Sequence, residues 1–291
     1  MSGFYRNGCT DAGRRRDYVE RLIADKDVLP PLRKGRDFSQ AGNRRGVHQR
    51  LSVIIPVQNE ERTIGRVIQE AILLSPAEII VVVNGCNDRT ESIARELGVS
   101  VIVFQESLGT DVGRAIGAYA ATGDALLFVD GDFHIPWKEL APFPNALLSE
   151  CDLAVNKLDY HLSMRMPWSA VTTLKIALNM AVGREDLANA SLVHVPFALN
   201  RRALNVIQWS NLLCPPKAYA LGLLGGLTVT PVHCVEVDRL NRYRPSKHNN
   251  AGGNHSIATM QIIGDHFEAL HAIHRREGKK GEIGCSGNLE K

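Results

Sequence analysis

The sequence predicts an α/β protein built on a mostly parallel sheet with helices on both faces, followed by a less regular second half. Short, almost wholly apolar runs recur between residues 51 and 129, as strands buried on both faces require. Between them lie segments whose apolar residues fall at helical spacing, so strand and helix alternate four times at about 25 residues per unit. Polar turn residues stand at the carboxyl ends of three of those runs.

Residues 1–50 form a basic N-terminal extension, with 12 Lys and Arg against 6 Asp and Glu and too few apolar residues for a core. Residues 17–28 suit a short helix, and Pro30–Pro31 end it. Leu51–Val57 is the first buried strand. Asn59 is placed to cap the next helix, whose Ile64, Val67, Ile68, Ala71 and Ile72 share one face. Residues 79–83 make the second strand. Asp88 and Glu91 read as a capping pair for a helix carrying Ile93, Ala94 and Leu97, with Gly98 as its stop. Residues 99–104 form the third strand, 109–122 a helix and 125–129 the fourth strand.

In the second half, 151–155 reads as a strand, 159–168 as a loop and 169–182 as a helix. Strands are expected at 193–199 and 227–237. A closing helix spans 256–276, with Ile257, Met260, Ile263, Phe267, Leu270 and His274 along one face. The apolar stretch 218–235 is broken by Gly222, Gly225, Gly226 and Pro231, so it reads as core strand and not as a membrane span.

With 44% hydrophobic and 22% charged residues in 291, a disordered or collagen-like chain is excluded. Six scattered cysteines without a C-x-x-C pair suggest neither a zinc site nor a disulfide framework, and reduced thiols fit a cytoplasmic protein. The net charge of +3 divides into +6 on residues 1–50 and −3 on the rest, so the body is not a nucleic-acid surface. The basic head is suited to docking on the body, to pairing subunits in a homodimer or to touching an anionic membrane surface, the last being least favoured.

Ligands of parallel α/β sheets bind beyond the carboxyl ends of the strands. There lie Gln58-Asn59-Glu60, Asn84-Gly85 and Asp130-Gly131-Asp132. Each group alone reads as turn chemistry, whereas three on one rim point to a site. The histidines 161, 194 and 233 have no ligand spacing and read as structural hydrogen bonders, with His271 and His274 on the surface.

Four ordered motifs, VIIPVQNE (53–60), VNGCNDRT (83–90), GRAIGA (113–118) and LFVDGD (127–132), resemble those of the family 2 nucleotide-sugar glycosyltransferases. The resemblance implies a Rossmann-like GT-A fold, a UDP-linked donor and Mg2+ or Mn2+. It assigns Asp132 as the first metal ligand and a catalytic residue, with Asp130 on the metal or the ribose. Pro56, Val57, Asn59, Glu60, Asn84, Gly85, Arg114 and Gly131 would then surround the donor, Glu60 at the ribose, Asn84 at the base and Arg114 at the diphosphate. Asn84 stands where the family usually has Asp. Asp88 reads first as a helix cap and second as a ligand.

Residues 238–245 (DRLNRYRP) resemble the H-R-x-R-P segment of glucosyl-3-phosphoglycerate synthases. This puts Asn241 where their His completes the metal shell, and Arg242 and Arg244 in a cationic cluster for the diphosphate or an anionic acceptor. Gly183-Arg184 resembles their acceptor-binding pair, which makes Arg184 a second catalytic-site residue, although Glu185 and Asp186 follow it. Inverting members carry an Asp base late in the domain. Residues 213–220 hold no carboxylate, which favours retention.

The expectation is a metal-dependent hexosyltransferase. Residues 51–135 form its nucleotide-sugar half and 136–291 its acceptor half and C-terminal helix, and the acceptor is small or phosphorylated. Two alternatives stand beside it: a catalytically degenerate nucleotide-sugar-binding module, and a peripheral-membrane transferase acting on a polyprenyl phosphate. A nucleotidyltransferase would need a Gly-rich phosphate loop after the first strand, where this chain has PVQNE.

Overall fold

Strand β1 (Leu51–Val57) is buried along almost its whole length because both of its faces are covered, and the sheet grows outward from it. The computed structural model describes residues 19–21, 24–25, 34–38, 49–109, 111–149, 151–164, 166–240 and 256–285. On one side of β1 lie β2 (Glu78–Asn84) and then β3 (Ser100–Phe104), all parallel. On the other side lies β4 (Ala125–Phe128), also parallel. Beyond it come β6 (Phe197–Asn200), antiparallel to β4, then β5 (Leu153–Asn156) and β7 (Val229–His233). The sheet order is β3-β2-β1-β4-β6-β5-β7, so the chain reverses its direction of travel across the sheet between β1 and β4.

The helices of the first half follow the expected pattern: α1 (Ile64–Ile72), α2 (Thr90–Glu96) and α3 (Val112–Ala120). Helix α3 lies unusually close to β1. A Cβ at Gly117 would stand 2.3 Å from Ile54 Cγ2, and one at Gly113 would stand 2.6 Å from Pro56 Cβ. The second half adds α4 (Trp137–Leu140), α5 (Pro142–Ala146), α6 (Ala170–Ala181), α7 (Arg201–Ile207), α8 (Pro215–Leu224), α9 (Val237–Leu240) and α10 (Ile257–Cys285). Ser169 caps α6 by accepting the Thr172 N–H at 3.1 Å.

Several expectations are corrected. Asn59 does not cap α1. The helix starts at Thr63 with no side-chain cap, and Asn59 sits at φ 58°, its Oδ1 accepting the Asn87 N–H at 2.8 Å. Asp88 does stabilise the start of α2 through the Thr90 N–H, but Glu91 turns away to pair with Arg95 at 2.8 Å. The stretch 218–235 is not one strand. Its first part belongs to α8, where Pro215 and Pro216 open the helix and Gly225 closes it, and only Val229–His233 is extended. Helix α10 buries Asp265, His266, Ala269 and Ile273, while Met260 and Phe267 stay exposed. The buried face is thus rotated from the one read off its large apolar residues, and α6 and α8 pack against the helix.

The described residues of the N-terminal extension dock on the body. The Gly35 N–H donates to Ser100 Oγ and the Arg36 N–H to the Gly98 carbonyl, both at 2.8 Å, and Val19 is fully buried. Among the described residues no helix is long and apolar enough to cross a membrane.

The close approach of α3 predicts opposite outcomes for one kind of substitution. Gly117→Ala should lower stability by about 1–3 kcal/mol through overpacking against Ile54. Gly65→Ala, whose new methyl would stand 3.6 Å from its neighbour, should be neutral or add up to about 1 kcal/mol of helix propensity. Urea denaturation midpoints at unchanged slope would check both.

Candidate active site

The reversal between β1 and β4 makes a topological switch point at their carboxyl ends, the usual ligand position in such sheets. The Asp130-Gly131-Asp132 turn closes β4 there. A Cβ at Gly131 would stand 2.3 Å from Val57 Cγ1, so only glycine lets the turn press against the end of β1. Thr63 fastens it from the other side, its hydroxyl donating to the Gly131 carbonyl at 2.7 Å.

Arg114, on α3 and 5% exposed, is the centre of the charge network. Its guanidinium donates to Asp130 at 3.0 and 3.3 Å and to Asp111 at 3.0 Å, and its Cζ lies 5.9 Å from the centre of the Phe197 ring. Burial works against this charge. The Asp130 and Asp111 carboxylates, with Asp132 further off, outweigh that and hold the guanidinium above its ordinary value.

The loops after β1 and β2 are zipped together. The Glu60 N–H donates to Thr90 Oγ1 at 2.7 Å, the Asn59 N–H to Cys86 Sγ at 3.1 Å and the Glu61 N–H to Asp88 Oδ2 at 3.1 Å. Burial pushes the Asp88 carboxyl upward, but hydrogen bonds from Thr90 and Glu61 hold it below its usual value, in keeping with a capping role. Asn84 is buried and uses both ends of its amide on the loop after β3. Its Oδ1 accepts the Leu108 N–H at 2.7 Å and its Nδ2 donates to the Gly109 carbonyl at 2.8 Å. Pro56, Val57 and Gly85 complete this rim beside Glu60.

The downstream residues divide. Arg184 is held by Asp186 in a two-point contact at 2.8 and 2.9 Å, and Asp186 lines a second cleft together with Lys157 and Asp159. Gly183, next to it, has φ +69° and open space around it. Asn241, Arg242 and Arg244 lie outside the described residues. Among the described residues no group of three or more His, Cys, Asp or Glu side chains could hold a metal ion. Asp130 and Asp132 are two hard oxygen donors on one turn. Such donors could hold a Mg2+- or Mn2+-type cation.

Sequence reasoning missed several members. Asp111 stands three residues before Arg114, a spacing that places both on one helical face. Phe197 carried no signal, since its contact depends on β6 lying beside β4. A second polar cluster also escaped. His161 Nε2 lies 2.5 Å from Asp238 Oδ2, which also accepts from the Tyr160 hydroxyl at 2.9 Å, and Lys175 Nζ lies 2.8 Å from His194 Nδ1.

Residues 52–206, more than half of the chain, match the model of Glycosyl transferase family 2. The chain belongs to that family. A 4,4'-diaponeurosporenoate glycosyltransferase of Staphylococcus aureus (strain MRSA252) is 29% identical over 148 residues, 46% of this chain and 39% of that one. The chain therefore spans between a quarter and two fifths of the length of the curated relatives it matches first. Glucosyl-3-phosphoglycerate synthase from Mycobacterium tuberculosis in complex with UDP has the same fold, at TM-score 0.53 and 21% identity over 81% of this chain and 83% of that one. The same enzyme with Mn2+, UDP-glucose and phosphoglyceric acid gives TM-score 0.50 at 20% identity over 81% and 82%.

Removing the central cation should expose its weight. Arg114→Met strands Asp111 and Asp130 and should cost about 3 kcal/mol. Adding Asp111→Asn should cost less than the two single changes summed. Urea titrations of the four members of this cycle at neutral pH provide the check.

Proposed function

We propose that the protein transfers a hexosyl group from a UDP-linked donor to an acceptor in a divalent-metal-dependent reaction. The observation that carries this reading is the Asp130-Gly131-Asp132 turn, pressed onto the end of β1 and joined to the buried Arg114 at the point where the sheet reverses. Residues 51–135 act as the donor half and 136–291 as the acceptor half. Asp132 would hold the cation directly and Asp130 beside it. When bound, such a cation offsets the charge of the departing diphosphate.

This chain's own residues supply the rest. Glu60 is buried on a loop fixed by Thr90, and its carboxylate would accept from the ribose hydroxyls. Arg114 orients the Asp130 carboxylate and adds positive potential near the diphosphate. Asn84 shapes the base-side wall through its hold on residues 108–109. Family membership and the Mn2+ and UDP-glucose bound by the mycobacterial synthase support the donor and metal. Retention of configuration is supported by α8, which holds no carboxylate along its length to serve as base.

Asp132→Ala should abolish both sugar transfer and Mn2+-dependent binding of UDP, while the far-UV circular dichroism stays that of the parent. Calorimetric titration with UDP and Mn2+, followed by a donor hydrolysis assay, measures the two losses. Full activity in this variant would sink the site assignment.

A further inference from the structure

Helix α6, residues 161–164 and 166–168, α9 and α10 enclose a cavity of about 310 Å3 that the donor site does not use. Met164, Pro167, Val171 and Ile262 give it apolar walls, and Met164 stands half-exposed at its mouth. Its floor is polar. Lys175 is 1% exposed, and its Nζ meets His194 Nδ1 at 2.8 Å, which leaves an ammonium two further hydrogens to place. The indole N–H of Trp168 and the Nδ1 of His161 are also buried, with no hydrogen-bond partner among the described residues. Buried polar groups are normally satisfied, and leaving an indole N–H and a ring nitrogen unfilled beside one cavity is costly.

The charges facing this floor are nearly balanced. Asp238 is taken by His161 and Tyr160. His194 is kept neutral by burial and by the neighbouring Lys175 charge, with Arg114 behind it. Burial also lowers Lys175 to about 7, against the pull of Asp238. Among the described lining residues, Lys175 is thus the cation without a carboxylate in pairing distance. Its two unfilled N–H positions suit an anionic acceptor group.

The cavity also abuts the donor site. His194 leads into β6, whose Phe197 ring faces Arg114, and Gln261, next to the cavity residue Ile262, reaches Asp111 at 3.4 Å.

We propose that this cavity is the acceptor subsite for an amphipathic monoanion. A carboxylate would lie between Lys175 Nζ and the Trp168 indole N–H, and a hydrocarbon body would run past Val171 and Ile262 toward Met164. The word acceptor rests on the transferase reading, whereas the binding of the carboxylate does not.

The test is calorimetric titration of the full chain with octanoate, 1-octanol and octyl phosphate below the pH at which Lys175 loses its proton. Octanoate should bind at least about tenfold more tightly than octanol, the usual worth of a hydrogen bond to a charged group. Lys175→Met should erase that preference, and Trp168→Phe, which keeps the ring, should weaken octanoate several-fold. Equal affinities for octanoate and octanol in the parent protein would overturn the proposal, and that comparison needs no variant to fold. Unchanged octanoate binding in a folded Lys175→Met protein, or tighter binding of octyl phosphate, would overturn it too. A parallel titration with UDP and Mn2+ separates the two readings. Octanoate preference without UDP binding supports the cavity and removes the transferase reading, and UDP binding without octanoate preference does the reverse.

Discussion

A guanidinium buried among hydrocarbon survives only if its partners are fixed, and the organisation of this molecule follows from fixing those of Arg114. Desolvation opposes the charge, so the Asp111 and Asp130 carboxylates must be held within hydrogen-bond reach. Asp111 is supplied by the turn that opens α3. Asp130 is supplied by the end of β4, which stands where it does because Gly131 packs on Val57 and Thr63 grips its carbonyl. The glycines of α3 let that helix sink toward β1 far enough for Arg114 to reach. Phe197, from the second half, closes the arrangement from the far side. One charge thereby couples a helix, three strands and the turn that carries the two acidic groups.

The first half was legible because its strands are buried on both faces. Each appears as an unbroken apolar run, and the intervening helices are amphipathic enough to show their spacing. The candidate rim was legible for the same reason, since strand ends determine where polar residues collect. The use of each polar residue was less legible. Asn59 and Asn84 look like a cap and a base contact in sequence, and both spend their amides on neighbouring loops. Such contacts join residues 24 to 28 positions apart and leave no local spacing to read.

The second half resisted reading because its elements owe their form to partners distant in the chain. Helix α8 has apolar residues all round and a glycine near each weak point, which imitates a core strand until α10 and α7 are seen against it. Helix α10 turns Asp265, His266, Ala269 and Ile273 inward and leaves Met260 and Phe267 outside, so its large apolar residues mislead. Lys175, His194, His161 and Asp238 span more than sixty positions in sequence and meet only because α6, β6 and α9 converge. Histidines that show no ligand spacing were correctly read as hydrogen bonders. The lysine buried beside them carried no signal at all.

The two margins of the sheet are treated differently from its middle. An open strand edge offers a ladder to any passing chain. At the β7 margin the ladder is interrupted by Pro231, which has no N–H to offer. At the β3 margin the same task falls to the N-terminal extension, whose Gly35 and Arg36 amides occupy Ser100 and the Gly98 carbonyl where the strand begins. Gly35 and Arg36 of the extension therefore also screen the start of that edge. Trimming these two residues away would uncover backbone there that no proline protects.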